Sequence, residues 1–193
     1  PQKDFNKNDA QKVIDYLQKG GKAIIVGMHS ETEMPNFASI LDTYGVSLTT
    51  GPIADNDAQH YYNMGGPLYL LPNVNSSSYT GSLSGGYVYL PISLGINYPQ
   101  NSTTDDTEST EESKTTYTSL LDTSDDAVAK NNPNSMQDYG YEDGDDKGPF
   151  SVGLAVEDKV YDDHTTQLVV FASPYVFSDE ASQMTTNNES LFS

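Results

Sequence analysis

The sequence predicts an α/β domain built on an open, mainly parallel sheet with helices on both faces. Three observations predict it. A helical stripe of Ala10, Val13, Ile14 and Leu17 runs through Gly20-Gly21 into a continuous apolar run at 23–26. A second stripe, Phe37, Ile40, Leu41 and Tyr44, stops at Gly45 and gives way to the short run 46–48. Helix, glycine, strand, repeated in this order, is the rhythm of strands joined by helical crossovers.

Each element has its own local reason. Residues 4–19 read as a helix that Asp4 or Asn6 caps, and glycine accepts the left-handed conformation that ends it. The run at 23–26 is apolar on both faces, as a buried parallel strand is. Residues 35–44 form the second helix, with Pro35 suited to its first turn. Strands are expected at 46–48, 68–71 and 87–92, separated by a Ser/Gly/Asn-rich, turn-like stretch at 73–86. Residues 100–116 are acidic, low in complexity and without large apolar groups, so they read as a flexible insertion. Further strands are expected at 117–121 and 150–156, the latter with Phe150, Val152, Leu154 and Val156 on one face. The run 167–172 is the strongest strand signal, and a last helix is expected within 177–190.

Composition narrows the function. The 193 residues suit a single domain carrying one insertion. Nine cations, all lysine, stand against 28 Asp and Glu, for a net charge of −19. Such a chain repels nucleic acids and anionic lipid, and without arginine it lacks the fork that grips phosphate in two places. There is no cysteine, which removes thiol nucleophiles, disulfides and thiolate metal sites. No cofactor is implied. The Asn-, Ser-, Thr- and Tyr-rich, arginine-free composition points outside the cytosol. No stretch approaches the roughly 18–20 apolar residues of a membrane span. A chain that starts at Pro1 reads as a piece of a longer membrane protein whose membrane segments lie outside it.

Candidate sites are few. His29 follows the first strand at its carboxyl end, the edge where open α/β sheets bind ligands, with Ser30, Glu31 and Glu33 beside it. A hydrolase using His29 and these carboxylates is one reading; a solvated loop is the plainer one. His60 and His164 stand in polar stretches with nothing at ligand spacing. Gly81-Ser82-Leu83-Ser84-Gly85 has the glycines of a nucleophile elbow but places Leu83 where serine belongs. The acidic cluster holding Asp143, Asp145 and Asp146 suggests a weak calcium site. The EF-hand pattern fails, however, with Lys147 at position five and Leu154 at position twelve. Tyrosines crowd residues 61–89. Of these, Tyr61, Tyr62 and Tyr69 are candidates to stack on a carbohydrate or peptide, against the simpler reading that strand-borne tyrosines fill a core. No catalytic set emerges.

Three segments, in order, carry a resemblance. The first runs from Pro1-Gln2-Lys3-Asp4-Phe5 through Tyr16-Leu17-Gln18-Lys19-Gly20-Gly21-Lys22 to Tyr44-Gly45-Val46. The second is Leu120-Leu121-Asp122-Thr123-Ser124-Asp125-Asp126-Ala127. The third joins Lys147-Gly148-Pro149-Phe150 to Leu168-Val169-Val170-Phe171-Ala172-Ser173 and Phe177-Ser178-Asp179. Together they resemble the soluble domain of the gliding-motility-type (GldG-like) ABC transporter auxiliary family, over most of the chain except the middle insertion. The resemblance implies a Rossmann-like sheet similar to the class I glutamine amidotransferase-like fold. It also implies a place on the extracytoplasmic face of the cell membrane and ABC permease and ATPase subunits as partners. It carries no catalytic residues. Where family members often have Gly-Asp-Ser, this chain has Ala172-Ser173-Pro174. The expectation is a non-enzymatic domain that binds a partner or ligand, with a carbohydrate- or peptide-binding surface at 61–89 as the alternative.

Overall fold

A computed structural model describes residues 3–81, 83, 87–100, 115–131, 138–161, 164–185 and 187–191. In chain order the elements are α1 (Lys7–Leu17), β1 (Lys22–Val26), α2 (Pro35–Asp42), β2 (Ser47–Asp55), β3 (Tyr69–Leu70), β4 (Asn73–Val74), β5 (Leu90–Pro91), β6 (Leu94–Asn97), β7 (Thr115–Asp122), β8 (Ala127–Ala129), β9 (Asp146–Lys147), β10 (Ser151–Tyr161) and β11 (His164–Phe171). A 3-10 turn (Pro174–Phe177), α3 (Asp179–Met184) and α4 (Asn187–Ser190) follow. Most of the insertion expected at 100–116 lies outside the described residues.

The opening elements form for the predicted reasons. Asn6 caps α1, its side chain accepting from the Asp9 N–H. Gly20, at φ +85°, and Gly45, at φ +66°, take the left-handed conformation beyond the two helices. Asp4 caps the other helix: its carboxylate accepts from the Asn36 N–H at 3.0 Å and the Phe37 N–H at 2.8 Å. Desolvation opposes ionisation there, but these backbone donors win and hold the Asp4 carboxyl below the usual carboxylate range.

The sheet overturns the expected fold class. Nine strands form one sheet ordered β1-β11-β10-β6-β2-β8-β9, with β7 also on β10 and β4 on β7. Only β1 and β11 run parallel; every other pairing in the sheet is antiparallel. The chain is therefore a mixed, largely antiparallel β structure with few helices, not a Rossmann-like or amidotransferase-like α/β fold. The cause lies after α2. β2 pairs antiparallel with β6 and β8 instead of extending a parallel series beside β1. β10 and β11 are adjacent in sequence and pair directly, which a short connection permits only for antiparallel strands. Nor do helices cover both faces evenly. α1 and α2 pack against Leu154, Val156, Leu168 and Val170 on one face. Short strands, loops and the 3-10 turn close the other, over Ile53, Val152 and Phe171.

A β-bulge corrects a second expectation. The ladder between β10 and β7 shifts register between Ser151 and Gly153, where Val152 is the extra residue on β10. A one-residue slip moves side chains to the opposite face. Phe150 and Val152 consequently pack in the second cluster, and Leu154 and Val156 in the first. The last helix is also broken: Thr185 is extended between α3 and α4, at φ −158° and ψ 139°. No helix among the described residues is long and apolar enough to cross a membrane.

Asp4 supplies a pH test of this frame. Its folded carboxyl is more acidic than its unfolded one. Its stabilisation is thus fully present above the ordinary carboxylate range and is lost as pH falls through the depressed folded value. Thermal melts of Asp4→Ala should show a lower melting temperature at neutral pH and a smaller loss on acidification than wild type. Superimposable pH profiles would refute the cap.

Candidate ligand cleft at the carboxyl end of the first strand

β1 ends at Val26, and the chain then crosses toward β2. Gly27 lies close to Leu48: a Cβ there would come within 2.4 Å of a Leu48 methyl, so a side chain at this position would require Leu48 to shift. Beyond it His29 is pinned by its Nδ1, 3.1 Å from the Thr50 carbonyl oxygen. A carbonyl only accepts, so Nδ1 is the donor in this contact. The Ser30 hydroxyl donates to the Thr32 carbonyl at 2.9 Å and tightens the loop.

Loop, α2 and β2 enclose a cleft of about 260 Å³. Met28, Met34, Phe37, Leu41, Leu48 and Leu94 make it mainly apolar, and His29, Glu33 and Thr50 supply polar groups. Its size is below the roughly 300–1,000 Å³ of pockets for drug-sized ligands, and suits one side chain or a small apolar group. The methionines add a lining that adapts to shape. The sequence placed His29 at this edge; it did not foresee the apolar wall, which α2 and β2 bring from elsewhere in the chain.

The tyrosine candidates are differently placed. Tyr69 stacks on Tyr89 at 6.3 Å, and Tyr62 meets the same ring edge-on at 6.3 Å. Tyr61 is half-buried and bridges to Leu70. Burial, with Glu180 next in effect, pushes the Tyr89 hydroxyl up to about 12. Tyr62 and Tyr69 therefore spend ring surface on an internal cluster, whereas a sugar platform presents it to solvent. The histidines are engaged separately: His60 Nε2 lies 3.2 Å from Asn73 Oδ1, and His164 stacks on Tyr161 at 4.6 Å.

The acidic loop is organised around a cation that sequence reasoning missed. Lys130 is fully buried, and its ammonium donates to Gly140 O at 2.7 Å, Glu142 Oε2 at 3.1 Å and Asp145 Oδ2 at 2.6 Å. Three donors meet three acceptors. Desolvation opposes the charged forms, but the hydrogen-bonded pairing prevails, lowering the Asp145 carboxyl and raising the Lys130 ammonium. Asp145 also accepts from the Asn131 and Glu142 N–H groups, and Asp146 accepts from the Asn131 amide. Asp143 is exposed. The ammonium thus sits where the calcium reading put a metal, and no group of three or more potential ligands is assembled among the described residues. The sequence signal was a lone lysine directly after the apolar run 127–129, followed by the acidic stretch.

The segments that carry the resemblance are structural joints. Thr123 and Phe150 exchange two bonds: the Phe150 N–H donates to Thr123 Oγ1 at 2.8 Å, and the Thr123 N–H to Phe150 O at 3.0 Å. The Gly148 N–H donates to Ala127 O at 2.8 Å. Ser173, in the departing Ala-Ser-Pro stretch, is buried; it donates to Pro91 O at 2.6 Å and accepts from the Tyr175 N–H.

No family model and no curated protein matches the chain. Among solved structures it is similar to the mmIFT52 N-terminal domain, with a TM-score of 0.63 and 14% identity over 98% of this chain and 69% of that one. At that identity the likeness shows the fold alone. It extends over nearly the whole mixed, largely antiparallel architecture.

The buried ion cluster makes a quantitative prediction. Lys130→Met leaves the Asp145 charge buried and unpaired, and should cost about 3–5 kcal/mol. Replacing both, Lys130→Met with Asp145→Leu, should recover much of that loss. Urea unfolding of the two variants checks it; equal destabilisation would show that the pair is not the source.

Proposed function

We propose that this chain is a non-enzymatic binding domain, the extracytoplasmic module of an ABC transporter auxiliary protein. Its cleft beside His29 receives a small apolar group of a ligand or of a transporter subunit. The cleft carries the reading: an apolar wall, a histidine held through its Nδ1 and a rim carboxylate converge at one place. The ordered resemblance supports the transporter setting. Its segments serve the frame at Thr123, Gly148 and Phe150. The acidic, arginine-free surface supports a role away from nucleic acid and anionic lipid.

The domain used as bait on gently solubilised membranes should recover an ABC permease or ATPase. Ala38 lines the cleft from the exposed side of α2, so Ala38→Trp fills the cleft without disturbing the core. It should weaken recovery by about tenfold, a cost near 1.4 kcal/mol, with an unchanged melting temperature. Recovery of neither subunit by wild type would overturn the transporter setting; full recovery by Ala38→Trp would overturn the role of the cleft.

A further inference from the structure

β1 ends the sheet on one side, and no described strand lies along its outer edge. The ladder to β11 determines which backbone groups that edge presents. Gly21 O accepts from the Gln167 N–H, and the Gly27 N–H donates to Phe171 O. With the parallel register Lys22↔Gln167 to Val26↔Phe171, alternation gives the N–H and C=O groups of Ala23 and Ile25 to β11. Those of Lys22, Ile24 and Val26 turn outward. A single hydroxyl satisfies the Lys22 pair: Tyr16 OH donates to Lys22 O and accepts from the Lys22 N–H, each at 3.1 Å. No described group does the same for Ile24 and Val26.

The side chains at this edge are apolar. Ile24 is 53% exposed. It pairs with Val169 as Val26 does with Phe171, and so faces the second side of the sheet. There Phe177 packs edge-on against Phe171 at 6.2 Å and remains 44% exposed. Sheet edges are ordinarily blunted by charge, proline, a bulge or a cover. Here Lys22 guards one end, and no described residue covers the backbone groups of the middle.

We propose that the β1 edge accepts an added strand from a partner: an extended, lysine- or arginine-bearing segment whose alternate apolar residues lie over Ile24 and Phe177. Two N–H/C=O pairs spaced two residues apart, about 7 Å along a strand, match the repeat of another strand. A helix cannot supply the match, because its backbone groups are bonded internally. The charge of −19 over the whole chain acts on a partner's approach, with Lys22 the cation at this edge that the added strand must clear. It repels a second copy of this chain and attracts a basic segment. This surface is separate from the cleft, and either can fail without the other.

Amide hydrogen exchange followed by NMR tests it on the intact chain, with a capped peptide of alternating lysine and valine as probe. In the free protein the Ile24 and Val26 amides should exchange at least about tenfold faster than those of Ala23 and Ile25. Saturating peptide should slow the first pair by about tenfold or more. A glutamate–valine peptide should leave them unchanged. Ile24→Lys, at an exposed position, should abolish the peptide's protection without altering the melting temperature. Protection of Ile24 and Val26 in the free protein, or no protection with the lysine peptide, overturns the added strand. Equal protection by the glutamate peptide, or protection that rises with protein concentration alone, overturns the basic partner.

Discussion

β11 is hydrogen-bonded on both edges, to β1 on one side and β10 on the other, and packs on both faces. Leu168, Val170 and Ala172 enter the helix-covered cluster; Phe171 and half-buried Val169 enter the other. Neither core can form without this strand, because each draws on alternate residues of the same segment. The constraint reaches the termini as well. Among the described strands β1 pairs with β11 alone, and the Thr166 hydroxyl reaches back to the Leu17 carbonyl at the end of α1. An amino-terminal helix and strand are thus anchored by residues some 150 positions away, a long-range closure that only burial on both faces repays.

The same strand shows what the sequence could and could not say. Its apolar run at 167–172 was legible as a buried strand, and Gly20 and Gly45 were legible as helix stops. Direction was not. A strand buried on both faces is continuously apolar whether its neighbours are parallel or antiparallel. The rhythm of α1, β1, α2 and β2 suggested crossovers, yet β2 finds its partners in β6 and β8. The bulge at Val152 was equally hidden: alternation through Phe150, Val152, Leu154 and Val156 looks unbroken, and only the partner strand reveals the slip. At the cleft, His29 could be placed from local pattern, since it follows directly on β1. The wall around it comes from α2, β2 and Leu94, whose convergence is tertiary. Tyr62 and Tyr69 show the converse limit. A ring that could stack on a sugar can as well stack on Tyr89, and sequence does not distinguish them.

A chain with so few cations has committed one of its nine to a fully buried site. Lys130 gives the acidic loop a centre: Gly140, Glu142 and Asp145 are drawn to one ammonium, and Asn131 ties Asp145 and Asp146 to the strand end. Against a hydrophobic replacement such a cluster has little net worth, since desolving both charges offsets their attraction. What it supplies is position. An apolar contact tolerates sliding, whereas three donors with three acceptors define one arrangement. In a surface dominated by like charge, that arrangement also lowers the repulsion the loop would otherwise feel.

β1 carries both open surfaces, the cleft at its carboxyl end and the free edge along its length. Their proximity follows from how the strand is held. On the outer side, among the described residues, the Tyr16 hydroxyl bonds its backbone at Lys22. At the other end Gly27 must pass within contact of Leu48 to bring His29 to Thr50. Leu48, which lies close to Gly27, is itself a wall of the cleft. Short edge strands with few bonds are the parts of a sheet that open first. A strand added at Ile24 and Val26 would satisfy the outward groups of the edge, while the cleft at the strand's carboxyl end keeps walls that other elements supply, α2, β2 and Leu94.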